Sequence, residues 1–155
     1  MEVFESLIQN PILVSPLIAW FVAQILKTII HTLFTKEFVA ERMVGGGGMP
    51  SAHSATVCAL VTATAIHRGF GSFEFAMATI FAIVTMYDAM GVRRETGRQG
   101  EVLNDMLDIF KKMGEKLGPE KDLKELIGHS PLQVTVGAIL GVVISLLINH
   151  FMGYI

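Results

Sequence analysis

The chain is short of cysteine, of charge and of any basic excess, and each shortage removes a class of protein. Cys58 has no second thiol in the chain to pair with, which excludes intramolecular disulfides and a cysteine-built zinc site. A lone thiol in an apolar stretch is most simply a small packing residue. Charged residues make up only 17% of the chain, against about a quarter in ordinary soluble domains, while hydrophobic residues make up 52%. Intrinsic disorder does not fit that balance. A net charge of −2 and a pI near 6.2 lack the basic excess of a nucleic-acid binder, so no nucleic-acid partner is expected. The 155 residues are expected to form one domain, 1–155, around a single core.

What the chain does have is long stretches without Asp, Glu, Lys or Arg: Ser6 to Leu26, Met43 to His67, Phe75 to Tyr87 and Leu126 to Ile155. A helix crosses a bilayer with roughly 20 predominantly apolar residues. The first and last stretches suffice alone. The second opens on glycines and is helical only after Ser51, and the third suffices only with Glu74 and Asp88 at its ends. The expected fold is therefore all-α, an integral membrane bundle of about four transmembrane helices near 11–34, 53–68, 73–90 and 132–152. Acidic Glu2 and Glu5 stand where a signal peptide needs basic residues, so the first span is expected to be retained.

Four spans put loops 35–52 and 91–131 on one side of the membrane. Of the 12 Lys and Arg, all but Lys27 and Arg68 lie there. By the positive-inside rule, the polar loops and any site they carry face the cytoplasm, across a plasma (inner) membrane. Within the polar loop 91–131, Leu103, Met106, Phe110, Met113 and Leu117 recur at helical spacing, which predicts an amphipathic helix along the bundle or the membrane surface. Gly118-Pro119 should break it, a short helix should cover 120–127, and Gly128 should end that one. Gly137-x-x-x-Gly141 allows close helix contact, and a homodimer through this seam is one use of it.

Gly45 to Gly48 cannot be a stable helix, so an irregular loop precedes the second span. Two histidines then stand at helix starts on the cytoplasmic side: His53 at the second span and His129 just ahead of Ser130-Pro131 at the fourth. Helix N-termini present unpaired N–H groups and partial positive charge, which favour a bound anion such as phosphate. Backbone amides of the glycine run, Gly48 included, could approach it closely. Arg93, Arg94, Arg42 and Lys27 are available as cations. Asp88 is placed to orient a histidine and raise its basicity, or to pair with an arginine. Ser130-x-x-Gln133 fits a capping box, which gives Gln133 the work of closing a helix start. His31, His67 and His150 have no polar cluster nearby in sequence and read as structural.

Pro50-Ser51-Ala52-His53 resembles the Pro-Ser-Gly-His signature of type-2 phosphatidate phosphatases and vanadium haloperoxidases. His129 with Val134-x-x-Gly137 and Leu140-Gly141 resembles their third motif. The whole chain is similar to the divergent acid-phosphatase and haloperoxidase-related membrane proteins. It shares Leu26-Lys27, Gly48-Met49-Pro50-Ser51, His53-Ser54, Met86-Tyr87-Asp88-Ala89, Gly91-Val92-Arg93-Arg94, Leu103-Asn104, Leu123-Lys124-Glu125-Leu126 and Gly128-His129 with them. The resemblance implies a reduced phosphatase/haloperoxidase core acting on an amphiphilic phosphate held with membrane lipid. In it His129 is the nucleophile, His53 the acid for the leaving alkoxide and Ser51 a donor to a phosphoryl oxygen, with no metal and no cofactor. Three motif positions depart from the pattern: Phe34 and Leu123 stand where it has arginines, and Gln133 where it has aspartate. Arg93, Arg94, Arg42 or Lys124 are the available replacements for the cations, and Asp88 for the carboxylate. Binding or transport of a lipid phosphate or ion through Lys27, Asp88 and His53 stays open beside phosphatase chemistry. A metal site of His53, His129 and Asp88 is a minor alternative.

Overall fold

The structure, a computed structural model, describes residues 2–36, 48–113 and 128–155. Helices make up nearly all of it: α1 (Glu2–Ile8), α2 (Pro11–Thr35), α3 (Ala52–Arg68), α4 (Phe73–Met90), α5 (Val92–Lys112) and α6 (Pro131–Phe151). The starts are written in the sequence. Asn10 caps α2 by accepting from the Ile12 amide, with Pro11 at the first helical position, where its missing N–H is not needed. Ser51, Ser72 and Ser130 do the same for α3, α4 and α6. α1 was not expected from the charge pattern; the same Asn10-Pro11 step that starts α2 separates the two.

Three helical stretches among the described residues are long and apolar enough to cross a membrane: α2, the run from Phe73 that begins with α4, and α6. The second expected span, α3, falls short by itself. Its 17 residues rise about 25 Å, and it packs against α2, α4 and α6. An interior helix needs small residues more than apolar ones, and α3 has them. Ala52, Ala55 and Ala59 meet Ala19 and Ala23 of α2, with Leu140 and Ile144 of α6 packed against the group. Hydroxyls of Thr56, Thr62 and Thr64 return to carbonyls one turn back, so no hydroxyl of this set is left unbonded inside.

The large apolar side chains point outward. Phe21, Ile80, Phe81, Val84 and Ile139 are all more than half exposed. Small residues inside and bulky ones outside is the pattern of a bundle whose outer solvent is lipid. Gly137 and Gly141 face inward too: a Cβ on either would run into the carbonyl of Ser51 or Ala55. The glycine seam is therefore packed by α3 of the same chain.

α3 and α6 run parallel from this seam. Their far ends are joined where His67 Nε2 lies 2.6 Å from Asn149 Oδ1, with Asn149 Nδ2 donating to the Ser145 carbonyl. α5 starts directly after Gly91 and contacts only α4 among the described helices, so it does not lie along the bundle. Leu103, Met106, Phe110 and Met113 form the predicted stripe and are each 40% exposed or more. The expected break at Gly118-Pro119 and the helix over 120–127 lie outside the described residues.

Candidate functional site

Parallel packing of α3 and α6 brings two helix N-termini side by side. Each carries roughly half a positive charge, so the pair is electrostatically unfavourable until an anion or acceptor meets it. Two backbone bonds fix the arrangement. The Ser51 amide donates to the Gln133 carbonyl at 3.1 Å, and the His129 amide donates to the Ala89 carbonyl at 2.9 Å. The C-terminal end of α4 is thereby tied to the same place.

The two histidines predicted at helix starts meet here. Their rings are 5.7 Å apart between centroids and inclined at 65°, edge to face. His129 is 3% exposed, and His53, in the first turn of α3, is half-buried. Gln133 Oε1 lies 3.3 Å from His129 Nδ1. That contact gives Gln133 a place in the site beyond the capping box it also forms.

Ser51 is fully buried, and its Oγ accepts from both the amide and the hydroxyl of Ser54, the latter at 3.0 Å. Its oxygen thus serves the cap, and its own proton is the donor it has to offer. Lys27 is 4% exposed although it is charged. Gly48 explains part of its placement, since a Cβ there would sit 3.0 Å from Cγ and Cδ of the lysine. The glycine also has φ +83°, in the left-handed region. Gly48 therefore lets the backbone at this position lie against the lysine stem.

Asp88 is half-buried on α4, one residue before the carbonyl that receives His129. Arg94 is exposed in the first turn of α5, and Arg93 stands beside it in the helix. Arg42 and Lys124 lie outside the described residues. Among the described residues no group of three His, Cys, Asp or Glu is arranged to hold a metal ion, so His53, His129 and Asp88 do not make the alternative metal site. Sequence reasoning missed the Ala89 carbonyl and the second use of Gln133. No local pattern marks the first, while the second was signalled by the position four residues after His129.

Residues 8–144 match the family described as the Divergent PAP2 family. The chain belongs to that family. The uncharacterized membrane protein YuiD of Bacillus subtilis (strain 168) is 39% identical over 156 residues, covering 94% of this chain and 98% of that one. No solved structure matches the chain. The Divergent PAP2 family match takes in Lys27, Ser51, His53, Asp88, His129 and Gln133, all within one extent. Membership agrees with the helical membrane bundle, and the relative is likewise a membrane protein.

Proposed function

We propose that the protein is a membrane phosphatase that hydrolyses a lipid-linked phosphomonoester or pyrophosphate through a phosphohistidine intermediate. The observation that carries this reading is the meeting of His53 and His129, 5.7 Å apart, at two adjacent helix N-termini. Membership of the Divergent PAP2 family supports it.

A ring nitrogen of neutral His129 attacks phosphorus. The P–N bond forms as the P–O bond to the leaving group breaks, and His53, as imidazolium, gives its proton to the departing oxygen. Neutral His53 then takes a proton from water, and the resulting hydroxide attacks phosphorus. The P–N bond breaks, releasing inorganic phosphate and restoring both histidines. Helix N-termini and the Lys27 ammonium stabilise the charge on the equatorial oxygens. A lipid tail fits the outward-facing apolar surface, and the excess of Lys and Arg on the loops supports a site on the cytoplasmic side of the plasma membrane.

The test is inorganic phosphate release by purified wild type and His129→Ala, on phosphatidate, a polyprenyl pyrophosphate and an aryl phosphate, without added metal. Release by the wild type alone is the expected result. One observation favours a second reading, binding or transport of a lipid phosphate or ion without turnover. Phe34, where the resemblance has an arginine, is 86% exposed and adds no cation to the site. Folded wild type that binds phosphatidate but releases no phosphate would decide for that reading.

A further inference from the structure

The C-terminal end of α4 marks where the chain leaves the lipid. Its 18 residues, Phe73–Met90, rise about 27 Å, close to the roughly 30 Å of a bilayer's hydrocarbon core. Tyr87 in its last turn is 73% exposed, and amphipathic aromatic rings collect at the membrane–water boundary. Gly91 then interrupts the regular helix, with ψ −84° against the roughly −42° of an α-helix. α5 therefore begins at the surface of the membrane, with the span already complete.

The side chains of α5 do not suit a helix surrounded by water. Val102, Leu103, Met106, Ile109, Phe110 and Met113 are each 40% exposed or more. At 3.6 residues per turn, these residues and Leu107 fill one sector about 160° wide. Glu95 and Gln99 share that sector in the turns nearest α4, Glu95 within 3.9 Å of Arg98, so the apolar stripe belongs to the second half of the helix. The charges around the stripe are ordered. Arg98 and Lys111 stand at its two margins, Glu101 and Asp108 near the opposite pole, and Asp105 between that pole and Arg98. Long basic stems at such margins run along apolar surface while their heads stay in water or among headgroups. The acidic residues of the second half stand away from the stripe's centre.

We infer that α5 lies flat on the membrane that holds the bundle, with the stripe from Val102 to Met113 immersed at the headgroup boundary, and that the partner of this face is membrane lipid. Lipid is already beside it, because α5 follows a lipid-facing helix after the single residue Gly91. A protein partner would have to be recruited from solution, whereas contact with this bilayer is intramolecular in effect. The placement has a consequence for the histidine pair. Ala89, whose carbonyl receives the His129 amide, stands three residues before Val92, so a surface-bound α5 holds that tie at headgroup depth. The inference stands apart from the phosphatase reading and holds whichever side of the membrane carries the loops.

The experiment uses the full chain in vesicles of phosphatidylcholine and phosphatidylglycerol, with Cys58→Ala removing the native thiol. Spin labels are attached to Leu103→Cys, Met106→Cys and Phe110→Cys on the stripe, and to Glu101→Cys and Asp108→Cys on the opposite side, one at a time. All five positions are exposed, so the labels leave the bundle intact, which unchanged melting temperatures would verify. Labels on the stripe should collide with oxygen and be shielded from a water-soluble nickel chelate, at a depth of about 5–10 Å below the headgroup boundary. Labels at 101 and 108 should show the reverse. Nickel access on both faces would put α5 in water and overturn the inference. Stripe labels closed to both reagents would overturn it too, because the face would then be packed against protein, whether a second copy or another chain. Oxygen access without nickel on both faces would mean a helix sunk into the bilayer, and would equally exclude a surface position.

Discussion

The amide of His129 donates to the carbonyl of Ala89 at 2.9 Å, which makes the last turn of α4 and the entrance to α6 one piece. Carbonyls in the last turn of a helix have no partner within it, and this one is satisfied by the residue that carries the proposed nucleophile. The bond places that ring independently of the α3–α6 seam. Three helices therefore define where the two histidines meet.

Removing His53 should discriminate between leaving groups. An alkoxide needs a proton as it departs, whereas an aryl oxide is stable enough to leave without one. In His53→Ala, hydrolysis of phosphatidate should fall by about 10²- to 10⁴-fold, and hydrolysis of an aryl phosphate by much less. Equal losses on both substrates, measured as kcat/KM, would show that His53 does not act as the acid.

Adding one methyl group at the seam should loosen the site from a distance. A Cβ at Gly141 would strike the Ala55 carbonyl, and one at Gly137 the Ser51 carbonyl. Because backbone cannot swing aside, each Gly→Ala change should cost roughly 1–3 kcal/mol, read as a lowered melting temperature in detergent. Gly137→Ala should also reduce phosphate release more than Gly141→Ala, since it pushes on the residue bonded to Gln133.

The ends of α2, α3, α4 and α6 were legible from the charge-free stretches, the glycine run and the Ser130 capping box, while the caps at Asn10 and Ser72 emerged only in the structure. The meeting of His53 and His129 was legible only as a topological consequence: two helix starts on one side of a membrane. The partner of the glycine seam was not legible. A small-residue stripe says that something approaches closely, and only the parallel run of α3 and α6 shows that it is α3. Gln133 was legible in part, since it stands four residues after His129 where the resembling motif has aspartate, but its capping box drew attention away from the ring until His129 was placed beside it.

Lys27 should matter by its charge more than its bulk. Methionine fills the same stem volume beside Gly48 without the ammonium, so Lys27→Met should fold. Loss of one charge-stabilising group in a buried site should lower kcat about 100-fold or more. Competition by inorganic phosphate or vanadate should weaken in parallel. Full activity in a folded Lys27→Met protein would remove the lysine from the site.

A reporter fused after Phe110, at the end of α5, tests the side of the membrane. The charge bias expects it in the cytoplasm. A fusion active only outside would place both the amphipathic helix and the histidine pair on the opposite face.

The far end of the bundle offers a control that separates folding from chemistry. Asn149 is fully buried within an apolar helix, and its side chain meets His67 at 2.6 Å and the Ser145 carbonyl at 2.8 Å. Asn149→Leu leaves the half-buried His67 without this partner, and an unsatisfied polar group costs about 1–3 kcal/mol. The variant should melt at a lower temperature, because the clamp between α3 and α6 at that end is gone. Its phosphate release per folded molecule should equal that of the wild type, since His53, His129, Gln133 and Lys27 all lie at the other end. A fall in kcat with the fold intact would mean that the two ends of the α3–α6 pair are coupled, and that the register of these helices, rather than their starts alone, sets the geometry of the histidine pair.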